Sequence, residues 1–499
     1  MVTVSKSRVA RFYASGTVVL ALIAATSCGH ATQPPADTTT SATTVPQVTS
    51  VPAVAPVPEV NTGADFSPVS RLVNDAIAAQ RMPGAVVQIG HAGKVVFREA
   101  FGSRKLADEP GLHGVPTPAE PMTEDTIFDL ASLTKSVATT PAFLQLHEKG
   151  LVQIDEPVQR YLPDFNPAND PRRAQVTLRM LLTHTSGIAG DLSLDGPWGL
   201  DPADEAEGIR RALGAWVVFD PGTAFHYSDI NFILVGAIIT KITGEPLGTY
   251  VPANVLAPLG MSDTRYLPAA KACGPHQIRG TAITLGQNAP WSGQCPAGTW
   301  STALLPRIAP TAHDGDTPGL NPDFGHLLRG TVHDPTARRM GGATGSAGVF
   351  STADDVGRYA QALLDRLAGR PSTFPLTQAT LEVMTSPQQP GHTAGQLEAA
   401  DNASREATAP NYPALAGQDL RGFGWDIDTA HSRPRGMIFP VGSFGHTGFT
   451  GVTLWMDPGS NTYVVILANV IHQRGGPPIA ALSGDVATTT AQILGLYGS

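Results

Sequence analysis

Asp129-Leu130-Ala131-Ser132-Leu133-Thr134-Lys135 places a serine three residues before a lysine. The chain has only seven lysines, and Lys135 alone has a serine at that spacing. Apolar residues recur at helical spacing as far as Leu146, and Gly150 is a suitable stop, so the pattern predicts a helix that begins at Ser132. Positions i and i+3 share one face of a helix, so the hydroxyl and the amine can meet.

A serine beside an amine is a candidate nucleophile for acyl transfer. The hydroxyl needs a base, and an amine can act as one when burial or neighbouring charge lowers its pKa from about 10.4. The positive end of the helix dipole at Ser132 would favour a developing oxyanion. Ser-x-x-Lys alone is a weak signal, and the alternative is a capping or packing serine beside a solvated Lys135.

Two further clusters follow along the chain. Tyr227-Ser228-Asp229 lies within FHYSDIN, and His446-Thr447-Gly448 lies within FGHTGFTG. With the flanking phrases LTHTSG at 182–187 and GATGSAGVFST at 342–352, the chain resembles the serine β-lactamases of the class C type over roughly residues 65–498. Penicillin-binding proteins and serine esterases share that fold and the same order of motifs.

The resemblance implies an α+β, two-lobed fold of the β-lactamase/transpeptidase-like type. Terminal segments would form an antiparallel sheet flanked by helices, and the middle a helical lobe. The residue pattern agrees with this fold. It predicts a helix, two hairpins and a closing helix, in this order: Ser67–Gln80, Ala85–Gly90 with Val95–Ala100, Val452–Met456 with Thr462–Ala468, and Ala480–Leu496. The Gly/Pro-rich stretches 268–340 and 386–420 are predicted to be irregular, either lining the cleft or decorating the surface.

The resemblance also implies catalytic roles. Ser132 would attack a carbonyl, with Lys135 and Tyr227 sharing the base role; which of them takes the proton stays open. We expect a cationic Lys135 to pull the pKa of the Tyr227 phenol down from about 10.

Substrate contacts follow from the same resemblance. Backbone N–H groups of Ser132 and Phe449 would hold the oxyanion, and Gly448 would let its strand approach the substrate closely. His446 and Thr447 would line the pocket, with His446 orienting Tyr227 or the substrate; the alternative for His446 is a structural histidine.

Two positions depart from the lactamase pattern. Asp229 stands where Asn is usual, and an ionised carboxylate only accepts hydrogen bonds. His446 stands where Lys is usual, and a histidine is mostly neutral at pH 7. Both changes weaken the case for β-lactams and for peptides that end in a carboxylate. We also expect Asp229 to bond Lys135, keep it charged and move the base role toward Tyr227.

The sequence therefore predicts an exported serine hydrolase that cleaves an ester or amide of a small molecule, peptide or cell-wall material. The alternatives are a D,D-peptidase or β-lactamase proper, and a catalytically silent wall-binding lipoprotein. No Gly-x-Ser-x-Gly or His-Glu-x-x-His motif occurs, and we expect no metal and no cofactor. The net charge of -9 argues against a nucleic-acid partner.

The N-terminus reads as a targeting segment. Basic residues precede an apolar run at 14–26, which is too short to span a membrane, and small residues lead to Cys28. We expect residues 1–28 to form a lipoprotein-type signal, with Cys28 lipidated on the outer face of the cytoplasmic membrane. The alternatives are ordinary signal cleavage or an uncleaved anchor. Residues 29–62 would form a Thr/Pro-rich stalk, and 63–499 the hydrolase domain.

Two cysteines lie in the exported part. Export favours a disulfide between Cys273 and Cys295. The alternative is two free thiols with no catalytic role.

Overall fold

The computed structural model describes residues 63–285, 293–473 and 479–499. The predicted signal segment, the stalk and Cys28 lie outside the described residues and remain predictions.

One large antiparallel sheet organises the domain. Its eight strands run in the order β11-β12-β13-β14-β15-β1-β2-β3, so strands from the two ends of the domain meet at its centre. A three-stranded sheet, β4-β10-β5, and two small ladders, β6-β9 and β7-β8, complete the set. The strands are β1 Gly84–His91, β2 Lys94–Lys105, β3 Glu120–Pro121, β4 Phe128–Asp129, β5 Arg265–Tyr266, β6 Ala272–Cys273, β7 Gln277–Arg279, β8 Ala282–Thr284, β9 Trp300–Ser301, β10 Val349–Ser351, β11 Leu420–Arg421, β12 Asp426–Asp428, β13 Phe444–Gly448, β14 Val452–Asp457 and β15 Thr462–Ala468.

Helices pack on the sheet, and further helices occur through the middle of the chain. Helices α1 and α12, from the two ends of the domain, pack against each other, and α9 packs on β1 and β15. The α-helices are α1 Ser67–Ala78, α2 Thr140–Glu148, α3 Val158–Tyr161, α4 Leu178–Leu182, α5 Glu205–Gly214, α6 Asp229–Thr243, α7 Leu247–Val251, α8 Pro335–Arg339, α9 Ala353–Leu367, α10 Gln378–Thr385, α11 Gln396–Glu406 and α12 Ala480–Ile493.

Successive side chains of the central strands enter different cores. In β1, Val86 packs in the large core that holds the helical middle, whereas Val87 and Ile89 pack with α1 and α12. In β15, Val465 joins the large core and Ile466 the other. Alternate residues of a strand point to opposite faces, and here both faces are covered by helices, so β1 and β15 are mainly apolar; the buried Gln88 in β1 donates to the Tyr463 hydroxyl.

Both predicted hairpins and both terminal helices are confirmed. β1 pairs with β2 and with β15, Ala85 lying opposite Ala468, and β14 pairs with β15. The prediction for 386–420 is wrong in part, because α11 lies there, anchored by the buried Ala400. The stretch 268–340 holds short strands and α8 among irregular backbone.

The two cysteines lie close together but are unbridged. Cys273 in β6 and Cys295 are both free thiols, and the Cys295 Sγ lies 3.8 Å from the Cys273 carbonyl oxygen. The predicted disulfide is therefore absent here and stays a prediction for the oxidised protein.

The most apolar helix belongs to the core. Within the described ranges no single helix is long and apolar enough to cross a membrane. Only α6 and the segment Leu247–Leu259 taken together have that length and composition, and the two are bent by 76° relative to each other. Phe232 and Ile238 of α6 are fully buried in the large core.

Candidate active site

Ser132 follows β4 at a sharp turn of the backbone. Ala131 adopts a positive φ of 44°, a conformation that costs free energy for a residue with a side chain. The buried carboxylate of Asp129 holds this turn, since it accepts from the Ala131 N–H at 2.9 Å and from the His333 N–H at 2.8 Å. The Ser132 side chain is thereby presented on a braced loop.

The helix predicted from Ser132 is present in a modified form. The Lys135 N–H donates to the Ser132 carbonyl, and residues Lys135–Thr139 then form a π-helical turn that leads into α2. Pro141 has no N–H to donate to the Val137 carbonyl, which favours the wider turn. Such π turns occur often at functional sites.

Lys135 is fully buried and contacts three partners. Its Nζ donates to Ser132 Oγ at 2.9 Å and to the Ser346 carbonyl at 2.8 Å, and it lies 2.5 Å from Asp229 Oδ1. The contact with Asp229 is an ion pair. The predicted meeting of Ser132 and Lys135, and the predicted link from Asp229 to Lys135, are both present.

The expectation that Asp229 keeps Lys135 charged agrees with the pKa of this lysine in the structure. Burial alone would lower the pKa of Lys135, but the Asp229 carboxylate and the Tyr227 phenol together raise it above its ordinary value. Lys135 is therefore an ammonium ion at neutral pH.

Tyr227 lies over the lysine. Lys135 Nζ is 5.2 Å from the centre of the Tyr227 ring. The His184 ring stacks on the Tyr227 ring, with centroids 4.4 Å apart. The His184 Nδ1 accepts a hydrogen bond from the Ser228 N–H at 3.1 Å. Burial and the nearby Arg421 cation lower the pKa of His184 well below its usual value, so this imidazole is neutral.

The expected depression of the Tyr227 pKa is also wrong in sign. Burial raises the pKa of the phenol above its ordinary value, and the Lys135 cation and hydrogen bonding to Ser132 offset only part of this. The phenol is therefore protonated in the free protein at neutral pH.

Asp229 is placed by the start of α6. The Ser228 hydroxyl accepts from the Asn231 N–H at 3.4 Å, and the Asp229 N–H donates to the Gly190 carbonyl at 2.7 Å. Two more carboxyls lie near Asp229. Burial and the Asp229 charge raise the pKa of Asp191, and they raise the pKa of Asp334 to about 7.

The edge of the site is formed by β13. A Cβ on Gly448 would lie 2.5 Å from the Leu130 carbonyl, so only glycine allows the strand this close to the loop that carries Ser132. Phe449 follows Gly448, is 75% exposed and stacks on His333 at 5.8 Å. Its backbone thus lies in the segment where the resemblance puts the oxyanion donor.

His446 is buried in the middle of β13. Its Nδ1 is 2.7 Å from the Thr447 carbonyl, the geometry of a donated hydrogen bond, and its ring lies 6.1 Å from that of Tyr227. Burial lowers the pKa of His446 to about 3, although the Asp426 carboxylate opposes this. Thr447, on the same strand, is half-buried and lies opposite Thr453.

The structure thus brings the three motifs to one place, and it adds residues that the sequence did not single out. Asp129, His184 and Ser346 position the others, and of these only His184 and Ser346 lie in phrases that carried the resemblance. No group of three or more His, Cys, Asp or Glu side chains among the described residues could hold a metal ion.

Comparison with known proteins agrees with this geometry. A family model described as Beta-lactamase matches residues 69–482. The chain belongs to the beta-lactamase family. Esterase EstB of Burkholderia gladioli is 30% identical over 379 residues, which is 72% of this chain and 86% of the relative.

Two further proteins, one a curated relative and one a solved structure, are similar to this chain. An Escherichia coli O157:H7 protein assigned as a D-alanyl-D-alanine carboxypeptidase is 28% identical over 408 residues, 79% of this chain and 80% of that one. Unliganded simvastatin synthase LovD of Aspergillus terreus shares the fold, with a TM-score of 0.58 at 22% identity, covering 86% of this chain and 99% of LovD. Family membership makes this beta-lactamase-family protein a serine hydrolase.

Proposed function

We propose that this protein is an exported esterase in which Ser132 forms an acyl-enzyme. The observation that carries the proposal is the contact of Lys135 with both Ser132 and Asp229 beneath Tyr227. Ser132 Oγ bonds to the carbonyl carbon of the ester, and its proton passes into the Lys135–Tyr227 pair. The ester C–O bond then breaks, the alcohol leaves with that proton, and water releases the acid.

The oxyanion would be held by backbone N–H groups of Ser132 and Phe449. Because both Lys135 and Tyr227 are protonated in the free protein, a proton must leave the pair before it can act as a base. The two groups then share one proton, and the apparent pKa of activity belongs to the pair.

Charge favours an uncharged ester over a substrate that ends in a carboxylate. Lys135 and Arg421, the cations beside the site, are each ion-paired, with Asp229 and Asp426 respectively. His446 is neutral at pH 7 because burial lowers its pKa to about 3. Among these described groups none offers a free positive charge to a β-lactam or peptide carboxylate.

The second candidate is a D,D-peptidase or β-lactamase. The name of the Escherichia coli relative favours it, as does the shared order of motifs. A penicillin would then acylate Ser132 and leave a stable adduct or be turned over.

One experiment separates these functions. The purified protein and its Ser132→Ala variant are incubated with 4-nitrophenyl butyrate, a fluorescent penicillin and a fluorescent phosphonate. We expect ester turnover and phosphonate labelling that the variant loses by about 10³-fold or more, with no penicillin adduct. A stable penicillin adduct would favour the second candidate. If no probe reacts, both enzymatic functions are contradicted and the catalytically silent wall-binding lipoprotein is favoured.

Export and lipidation are proposed from the N-terminal sequence alone. Cells that express the full chain are labelled with radioactive palmitate and fractionated. We expect label in the membrane fraction, lost on Cys28→Ser. Label-free protein in the membrane or medium would instead support ordinary cleavage or an uncleaved anchor.

A further inference from the structure

A second cavity of about 700 Å³ lies apart from the catalytic group. It is bounded by α7, by β5 and the turn before it, and by the segments 298–300 and 340–343. None of the lining residues that the structure describes is Ser132, Lys135, Tyr227 or His446. Its volume is within the range of sites that enclose a small molecule.

The walls of this cavity are mainly apolar and are built from two separate cores. Leu256 and Met261 belong to the large core, and Trp300 belongs to a smaller one. Polar atoms of the aromatic walls are already bonded, since Trp300 Nε1 donates to the Pro268 carbonyl at 2.8 Å and the Tyr266 hydroxyl to the Thr344 carbonyl at 3.2 Å. Because Trp300 and Tyr266 are themselves only 3% and 4% exposed, the apolar surface open to a ligand comes from other lining residues, among them Pro246, Pro252 and Ala257.

The charges that line the cavity are unbalanced. Lys271 and Arg265 both line it. Neither lies within ion-pair distance of a described carboxylate, although the charge of Arg265 contributes to lowering the pKa of Asp263, which is itself paired with Arg307. Arg265 Nη2 donates to the Ser262 carbonyl, but its Nε is buried without a hydrogen-bond partner. Glu205 is the single carboxylate among the described lining residues. The buried Nε is not open to the cavity, but two cations against one carboxylate give the lining an excess positive charge.

We propose that this cavity binds an anionic amphiphile, an apolar acid whose acyl chain lies against the apolar lining that includes Pro246, Pro252 and Ala257 while its carboxylate pairs with Lys271 and Arg265. Burial of the chain supplies the affinity, and the two cations select the sign of the head group. The site is separate from the ester site, although Ala343 in its wall precedes Ser346, which accepts from Lys135, by only three residues.

Gly248 offers a matched pair of variants. A Cβ there would lie 3.7 Å from the Ala343 Cβ and 4.0 Å from the Tyr266 Cβ, ordinary contact distances, so Gly248→Ala fits without displacement. Gly248→Leu would project a larger side chain into the cavity. Lys271→Ala removes one cation from an exposed side chain and leaves the walls unchanged.

The test is calorimetric titration of the full protein with dodecanoate, dodecanol and dodecyltrimethylammonium. We expect dodecanoate to bind the native protein and Gly248→Ala equally, and Gly248→Leu at least ten-fold more weakly. Lys271→Ala should weaken dodecanoate several-fold but leave dodecanol unchanged. Equal affinity in all variants, absence of dodecanoate binding, or a preference for the ammonium amphiphile would overturn the proposal. Thermal unfolding checks that the Gly248→Leu variant folds. If that variant does not fold, the binding of dodecanoate and dodecanol to Lys271→Ala tests the proposal.

Discussion

Lys135 Nζ lies 2.5 Å from Asp229 Oδ1 and 2.9 Å from Ser132 Oγ, so the amine beside the serine is paired with a carboxylate. The Asp229 carboxylate acts on both candidate bases: it keeps Lys135 charged, and it also raises the pKa of Tyr227. Both candidate bases are therefore harder to deprotonate than they would be beside an asparagine.

Asp229→Asn is expected to give an active enzyme that works at lower pH. Removal of the charge lowers the pKa of Lys135 and of Tyr227 alike, so the rising limb of kcat/KM against pH moves toward acid whichever of them is the base. A neighbouring charge shifts a pKa by about 1–3, so we expect the rising limb to move by a similar amount on the pH axis. Ester hydrolysis is followed from pH 5 to pH 10, with Asp195→Asn on the surface as control. An active variant with an unchanged profile would contradict the argument.

Tyr227→Phe is expected to lower kcat/KM for an ester by about 10²–10⁴-fold, the size of a general acid–base contribution. The phenyl ring keeps the stack on His184, so the thermal midpoint should change little. Tyr463→Phe is the matched control, because it removes another buried phenol, bonded to Gln88, in the sheet. A Tyr227→Phe enzyme with nearly full activity would exclude the phenol from proton transfer.

Asp129 is expected to act as a positioning residue. Asp129→Ala leaves the Ala131 and His333 N–H groups without their acceptor, so the turn before Ser132 can relax; each lost bond costs about 1–3 kcal/mol. We expect kcat to fall at least ten-fold with little change in KM. Thr450→Val is the control, since it removes only the bond to the Asp129 backbone carbonyl. It should lower stability while kcat is kept, and equal loss of kcat in both variants would make the effect merely structural.

The sheet was predictable because its signals are local. Val86, Val87 and their neighbours form apolar runs bounded by turn residues, and these locate β1, β2, β14 and β15 without reference to the rest of the chain. The helix α11 was missed since its apolar residues are Leu397 and three alanines, of which only Ala400 is buried. The π turn after Ser132 depends on a missing N–H at Pro141, which periodicity does not register.

The site was predictable only through its motifs. Ser132, Tyr227 and His446 lie far apart in the chain, and no spacing rule brings them together. Asp129 was not found because one of its partners, the His333 N–H, comes from a distant loop. The pKa direction of Tyr227 was wrong because it depends on burial, which only the folded structure defines.

His446 should make the folded state sensitive to acid. Its pKa is lowered to about 3 in the fold, against about 6.5 unfolded, so below pH 6.5 the unfolded chain binds a proton that the folded one does not. The native protein therefore loses stability as pH falls from 6.5 toward 3, by about 2–3 kcal/mol at pH 4.5. The difference in unfolding free energy between the native protein and His446→Gln should shrink by that amount from pH 7 to pH 4.5. Urea unfolding measures it, and a constant difference would show that His446 is protonated in the fold.

Cys273 and Cys295 are expected to form a disulfide when the protein is oxidised, because their side chains are already in contact. The bridge would close a loop of 22 residues and raise the unfolding free energy by about 3 kcal/mol. It would also brace β6 against β9, which carries Trp300 in the wall of the second cavity. We expect protein purified without reductant to lack free thiols at both positions. Reduction should then lower its stability to that of Cys295→Ser, which has the same contacts but no bridge. Full alkylation of both cysteines in protein purified without reductant would instead show two free thiols.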